Sequence, residues 1–215
     1  MRGFVSGPGG YVSRVDETER SILARLAADV AALIADEEDY VPPLAPDSAT
    51  SDAESDAQDP IAYLDFDPAE AGVNEEYLAL DPALARVFPP MSLTDPELAG
   101  ELRSLTMDDI RQGKLANLHA VVATLTASRG QVRVTPDGVG AWLTALTDMR
   151  LVLASRLGID DDDDAERVHD LAVVASRDPE PAATADDELE LALASLYSGV
   201  TWWQESLLQA VAGRA

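Results

Sequence analysis

The chain has 215 residues, with 40 acidic and 15 basic side chains and no cysteine, so its net charge is −25. So negative a chain repels phosphate backbones and anionic membranes, and the lack of cysteine excludes disulfides, thiolate metal sites and thiol redox switches. The length fits one domain with a sizeable core. Since the start lacks a signal-peptide pattern and no apolar run reaches the roughly 18 residues of a membrane helix, we expect a cytoplasmic protein.

The charge is segregated along the sequence. Residues 1–85 carry −15 (4 basic, 19 acidic), residues 86–156 carry +1 (8 basic, 7 acidic) and residues 157–215 carry −11 (3 basic, 14 acidic). Only the middle segment could approach DNA. We therefore expect direct nucleic-acid binding to be weak or absent.

The first elements predicted are a β-hairpin and a helix. Residues 4–6 and 11–15 alternate apolar with polar residues around the turn sequence Gly-Pro-Gly-Gly, which indicates a hairpin. Asp16 and Glu19 have capping-box spacing and predict the start of a helix. Its apolar positions, expected to face inward, are Ile22, Leu23, Leu26, Val30, Leu33 and Ile34.

An acidic segment and a set of Asp-Pro pairs follow this helix. Residues 40–58 are rich in Pro, Ser, Asp and Ala with little to bury, which predicts a disordered acidic loop. An Asp-Pro pair favours a helix start, because aspartate caps the helix and proline is tolerated at its first position. The pairs begin at Asp59, Asp67, Asp81, Asp95 and Asp178.

The middle of the chain predicts two long helices and a strand. A capping box at Thr106 opens one helix to about Thr126, residues 131–134 alternate like a strand, and Thr135 caps a second helix that runs to Leu157. We expect both helices at the centre of the molecule.

Two acidic loops are predicted in the last third, at 159–164 and 177–186, with a helix between them and a final helix from Asp186. The fold class predicted is mainly α: a single helical domain over 1–215 with two long central helices, an N-terminal β-hairpin and one further short strand. The apolar side of the final helix comprises Leu189, Leu193, Leu196, Tyr197, Val200, Trp203, Leu207 and Val211.

No pattern in the chain predicts catalysis. Glu166 and His169 have the Glu-x-x-His spacing of a di-iron ligand pair, but such a centre needs two pairs and further glutamates. The five aspartates from Asp160 lack the spacing of an EF-hand loop, and phosphate-loop and nucleophile-elbow motifs are absent. We expect a non-enzyme without catalytic, cofactor-binding or metal-binding residues.

Four residues are candidates for contact with a partner. Arg111 and Lys114 are three apart on one helix face. With Arg150 they could form a docking patch for an acidic partner, or for DNA when another protein supplies most of the affinity. The alternative pairs them with the chain's own carboxylates. Trp202 could be a binding hot spot or part of the core, and exposure would favour the former.

Two polar residues lie in apolar stretches of the predicted central helices. Asn117 and Asp148 would each cost stability unless they were hydrogen-bonded. They predict a small structural polar network between these helices.

Four segments of the chain resemble an actinobacterial family, a domain of unknown function labelled AosR-like, for actinomycete oxidative-stress regulator. The segments are DPALARVFP at 81–89, LTMDDIR at 105–111 with KLAN at 114–117, WLTALTDMRL at 142–151 with RLG at 156–158, and LY at 196–197 with Trp202 and QESL at 204–207.

The resemblance implies a cytoplasmic regulator of transcription under oxidative stress that acts through a protein partner, with a sigma factor or other transcription component as the candidate. Because the chain has no cysteine, thiol sensing is not carried over. The expected function is a non-enzymatic regulatory or adaptor protein. Two alternatives stay open: a structural helical homodimer, and a small helical enzyme or metal protein of unrecognised type.

Overall fold

The computed structural model describes residues 1–35, 81–92, 94–177 and 184–213, and within them it is mainly helical. The mainly α prediction is confirmed. The loop expected at 40–58 and the helix starts expected at Asp59, Asp67 and Asp178 lie outside the described residues. The elements, in chain order, are β1 (Val5–Gly7), β2 (Gly10–Arg14), α1 (Glu17–Ala35), α2 (Pro82–Val87), α3 (Pro96–Ala127), β3 (Gln131–Val134), α4 (Val139–Arg156), α5 (Asp162–Arg177) and α6 (Ala185–Ala212).

The three strands form one antiparallel sheet in the order β1-β2-β3. The predicted hairpin supplies β1 and β2, and the predicted strand at 131–134 supplies β3. Gly10 is required where they meet, because its φ is +145° and an added β-carbon would stand 2.1 Å from the carbonyl oxygen of Val134. Side chains alternate between the two faces of the sheet, and the side chains of one face are buried: Tyr11, Ser13, Val132 and Val134.

Helix α1 begins with the predicted capping box. The Asp16 backbone N–H donates to Glu19 Oε2 (2.9 Å), and the Glu19 N–H donates to Asp16 Oδ1 (2.8 Å). Leu23, Val30 and Ile34 are buried, but Ile22 is 48% exposed, so the inward face is narrower than predicted. An apolar stripe on a surface helix can extend past the line of contact with its neighbours.

Helix α3 starts earlier than predicted. It runs unbroken through Thr106, so the capping box expected there is wrong; the N-cap is Asp95, whose Oδ1 accepts from the Leu98 N–H at 2.9 Å. The Thr106 hydroxyl is satisfied inside the helix by donating to the Leu102 carbonyl at 2.8 Å. Good helix formers before Thr106 let the helix propagate back to the Asp95-Pro96 pair.

Helix α4 lies at the centre, as predicted, and packs against α1, α2, α3 and α6. The Thr135 hydroxyl accepts from Gly138 N–H (3.2 Å) to cap a short 3-10 turn before it, and Gly158, at φ +62°, follows its last turn. An aromatic cluster joins α4 to the hairpin and α6. Its centroid distances are 4.9 Å for Phe4–Trp203, 5.5 Å for Trp142–Trp203 and 6.0 Å for Phe4–Trp142.

Helices α5 and α6 pack against each other around a smaller core of their own, which includes Val168 and Ala194. Helix α5 begins at Asp162, so its first turn takes three of the aspartates expected in the loop at 159–164, where they face the positive end of the helix dipole. Helix α6 is capped by Thr184 rather than opened by Asp186. Leu189, expected on the packed side, is 58% exposed.

Candidate interaction site

The basic residues predicted to dock a partner are engaged inside the molecule. Lys114 of α3 reaches α4, where its Nζ lies 2.6 Å from Asp148 Oδ1. The Lys114 side chain is 17% exposed and that of Asp148 only 1%. Lys114 also lies over the ring of Phe88, with its Nζ 5.7 Å from the centroid. Lys114 therefore joins the two long helices instead of projecting to a partner.

Asp148 is the most deeply buried charged residue of this site. Burial raises the pKa of its carboxyl, against the hydrogen bond and positive charge of Lys114, which lower it. Its Oδ2 has no hydrogen-bond partner among the described residues. The predicted polar link between the long helices thus exists, but it runs from Asp148 to Lys114; within the described part of the chain, no hydrogen bond joins Asp148 to Asn117.

Arg150 belongs to a second polar group, between α4 and α6. Its Nη1 donates to Gln204 Oε1 at 2.9 Å, and its guanidinium lies 5.8 Å from the ring centroid of Tyr197. The Gln204 amide donates back to α4, to the Leu143 carbonyl (3.1 Å) and the Thr147 hydroxyl (2.7 Å). These bonds fix the position of α6 against α4.

Arg111 is also largely covered. Its side chain is 14% exposed, and Nη1 lies 3.2 Å from Asp108 Oδ1, one turn earlier on α3. Arg111 and Lys114 are therefore paired with carboxylates of the chain itself, as in the alternative, whereas Arg150 bonds the Gln204 amide instead of a carboxylate.

Trp202 and its neighbour Trp203 have opposite environments. Successive helical residues point about 100° apart, so one tryptophan can face the core while the next faces solvent. Trp203 is fully buried and its Nε1 donates to Ser13 Oγ at 2.8 Å. Trp202 is 48% exposed and lies beside Gly3, where its Cζ2 is 3.5 Å from the position of an added β-carbon. The exposure that favours a contact role is observed.

The segment around Trp202 is held firmly. Ser206, one turn on, accepts from the Phe4 backbone N–H at 3.0 Å, and the Ser6 hydroxyl donates to the Ala210 carbonyl at 3.0 Å. Strand β1 is thereby fixed along α6. Trp202 is presented on a rigid support.

The two histidines of the chain lie at the surface. Glu166 and His169 are both exposed on α5, and His119 is exposed on α3. In residues 1–35, 81–92, 94–177 and 184–213, no group of three or more His, Asp or Glu side chains is placed to hold a metal ion. Across those same ranges, no helix is long and apolar enough to cross a bilayer.

The family model described as "Domain of unknown function (DUF2017)" matches residues 1–211. The chain belongs to this family. Comparison with curated proteins and with solved structures gives no match.

Sequence reasoning missed two members of the polar site of this DUF2017 domain. Gln204 and Tyr197 hold Arg150, yet Tyr197 was assigned to the apolar side of α6 and Gln204 to no role. A glutamine one residue after a core tryptophan was the available signal, because a buried amide needs partners. Pairing across helices could not be deduced, since it depends on their relative rotation.

Proposed function

We propose that this DUF2017 member is an AosR-like regulatory or adaptor protein of an actinobacterium, which acts by contact with a component of the transcription machinery during oxidative stress. The four resembling segments support this proposal, and they include Trp202. Because the chain has no cysteine, a thiol sensor would have to belong to the partner. The chain itself would act as a non-enzymatic contact protein.

The observation that carries the proposal is the exposed, supported Trp202. Tryptophan is enriched among the residues that dominate binding energy, because one side chain buries a large area with little loss of conformational freedom. Trp202 is 48% exposed on a helix whose other side is fixed in the core. Such preorganisation lowers the entropic cost of binding.

Neither histidine is oriented as a general base by a neighbouring side chain in the described residues. A general base is normally held by a partner that orients its ring. His119 and His169 are exposed, and neither has a hydrogen-bond or ion-pair partner within the described residues.

Affinity purification from the native host under oxidant tests the proposal. The matched variants are Trp202→Ser and Leu208→Ser, because both residues lie on α6 and both are 48% exposed. We expect wild type and Leu208→Ser to recover a sigma factor or polymerase subunit that Trp202→Ser recovers poorly. Recovery of no transcription component by any of the three would contradict the proposal.

A homodimer through Trp202 is the second candidate, because the same exposed indole could meet a copy of itself. Light scattering of the purified chain distinguishes the two. A monomer whose mass is unchanged in Trp202→Ser excludes the homodimer, whereas a dimer that the substitution dissociates would support it.

A further inference from the structure

The outer face of the three-stranded sheet differs from the rest of this acidic molecule. Alternation along the strands places Val5, Val12, Arg14, Gln131 and Arg133 on the side opposite the core. Val5 is 59% exposed, Val12 is half-buried, and the other three are exposed. The face is therefore an apolar strip next to cationic side chains.

Exposed arginines divide into two groups according to their partners. On the helices, Arg25, Arg156 and Arg167 each have a carboxylate within 4.0 Å, namely Asp29, Asp81, and Asp164 with Glu190. Four others have no carboxylate partner in the described part of the chain, and all lie in or beside the sheet. They are Arg2, Arg14, Arg129 and Arg133.

The strand register brings two of these arginines, Arg14 and Arg133, next to the valines. Val12 pairs with Val5 on one side and with Arg133 on the other, and Arg14 follows two residues along β2. The Arg2 backbone N–H donates to the Arg14 carbonyl at 2.8 Å, and Arg129 lies in the turn that leads into β3. Arg133 reaches across the face to donate to the Pro8 carbonyl.

The carboxylates nearest along the chain form no ion pair with these arginines, although Asp16 and Glu19 line one concavity with Arg2 and Arg14. Asp16 and Glu19 lie beyond β2, where they cap α1, and Glu19 also pairs with the N-terminal amine. Asp137 lies beyond β3, in the 3-10 turn. Among the described residues, these arginines thus remain without an ion-pair partner on a chain of net charge −25.

We propose that this sheet face, defined by Val5, Val12, Arg14 and Arg133 with Arg2 and Arg129 at its rim, docks an acidic segment of a protein partner in which apolar residues alternate with carboxylates. The proposal deepens the proposed function, on which it rests, by naming the chemistry of the partner. The arginines would meet the carboxylates, and the valines would be covered by the apolar side chains. Trp202, beside Gly3 at the β1 edge of the sheet, would border the same interface.

A protein segment fits this face better than nucleic acid does. The face measures about 16 Å along β2 and about 10 Å across three strands, at the usual strand rise and spacing. Charges further away than about 8 Å are screened at physiological salt, so a short segment on the face meets mainly its arginines. A duplex is longer than the face, so most of its phosphates would lie beyond the arginines, on a chain whose net charge is −25. The exposed valines could not contribute to phosphate binding, because their side chains carry neither a charge nor a hydrogen-bond donor.

The test uses the full chain and a short extended peptide in which glutamate alternates with valine. Binding is measured by fluorescence anisotropy, and its site by amide and methyl shifts in NMR spectra. We expect shifts at Val5, Val12 and Arg133, and weaker binding as salt is raised. The same peptide with lysine in place of glutamate, and a short DNA duplex, serve as competing probes. Equal or tighter binding of either would overturn the proposal.

Matched variants locate the contact. Arg14→Glu/Arg133→Glu should weaken peptide binding about tenfold, whereas Arg25→Glu/Arg167→Glu, which changes the net charge equally at partnered arginines, should weaken it much less. Arg14→Gln/Arg133→Gln removes the two charges with less risk to the fold. It should weaken peptide binding less than the double glutamate variant does. Equal losses in the two charge-reversal pairs, or shifts confined to other surfaces, would overturn the proposal.

The outcome is separable from that of the proposed function. Peptide binding at the sheet, with no transcription component recovered from the host, would contradict the regulatory role and leave the docking face intact. A Trp202-dependent partner combined with no peptide binding would overturn the docking face alone.

Discussion

Replacing Lys114 with methionine removes the charge that compensates Asp148 in the interior. Methionine keeps most of the side-chain volume, so the change is mainly electrostatic. The Asp148 side chain is 1% exposed, and its Oδ1 loses the partner at 2.6 Å while Oδ2 already has none in the described residues. Removing one partner of a buried ion pair lowers the free energy of unfolding by about 3–5 kcal/mol. Because Lys114 is 17% exposed and water partly screens the pair, we expect a loss of about 2–4 kcal/mol.

The deficit should depend on pH. Burial raises the pKa of Asp148, and loss of Lys114 removes the two effects that lower it, so the pKa rises further in Lys114→Met. A carboxyl whose pKa is higher in the folded than in the unfolded chain loses stability as pH rises between the two values. The deficit relative to wild type should therefore be small below the folded-state pKa of Asp148 in wild type and complete above its higher folded-state pKa in Lys114→Met.

Urea unfolding followed by tryptophan fluorescence measures the effect, since Trp142 and Trp203 are buried. The double variant Lys114→Met/Asp148→Leu removes both charges and should recover stability to within about 1 kcal/mol of wild type. A cost below about 1 kcal/mol for Lys114→Met, or a double variant less stable than the single one, would refute the reasoning.

Three further changes test other parts of the structure by the same unfolding assay. Asp81→Asn should cost about 0.5–1 kcal/mol at neutral pH. Burial alone would raise the pKa of Asp81, but hydrogen bonds from Arg156 and from the Ala83 N–H, together with the Arg156 charge, leave that pKa lowered. The stability advantage of wild type should therefore vanish as pH falls through the folded-state pKa. A difference that does not depend on pH would contradict this. Ser13→Ala should cost about 1–3 kcal/mol by leaving the Trp203 N–H unpaired, whereas exposed Ser6→Ala should cost less; equal effects would count against the buried bond. Gly10→Ala should lower the free energy of unfolding by about 2 kcal/mol or more, whereas Gly113→Ala, with open space around the new methyl group, should raise it by about 0.5–1 kcal/mol. A tolerated Gly10→Ala would show that β3 pairs differently.

Sequence patterns correctly predicted the turns and helix ends that neighbouring residues determine. The Asp16–Glu19 box, the Gly-Pro-Gly-Gly turn and the Asp-Pro pairs at Asp81 and Asp95 each specify an end or a turn through neighbouring atoms, and the structure has all of them. Thr106 has the same local pattern, but α3 continues through it. A capping box competes with propagation from a helix that has already started, and the box alone does not indicate which prevails.

The candidate site depended on tertiary packing, which sequence spacing does not determine. Lys114 and Asp148 lie on different helices, and only the rotation of α3 against α4 makes them partners. Periodicity placed Trp203 on the apolar side of α6, where it is buried, but did not determine whether its neighbour Trp202 would be covered. The arginines of the sheet face were equally hidden, because Arg14 and Arg133 are far apart in sequence and meet only through the register of β2 and β3.

Transcript profiles of the native host under oxidant, with the chromosomal gene changed to Trp202→Ser or Leu208→Ser, test the central claim most directly. Both proteins must first be shown to accumulate and unfold like wild type, as surface substitutions usually allow. The account predicts that Trp202→Ser reproduces the profile of a deletion strain and that Leu208→Ser matches wild type. A wild-type profile for Trp202→Ser would contradict the claim that this exposed tryptophan makes the regulatory contact.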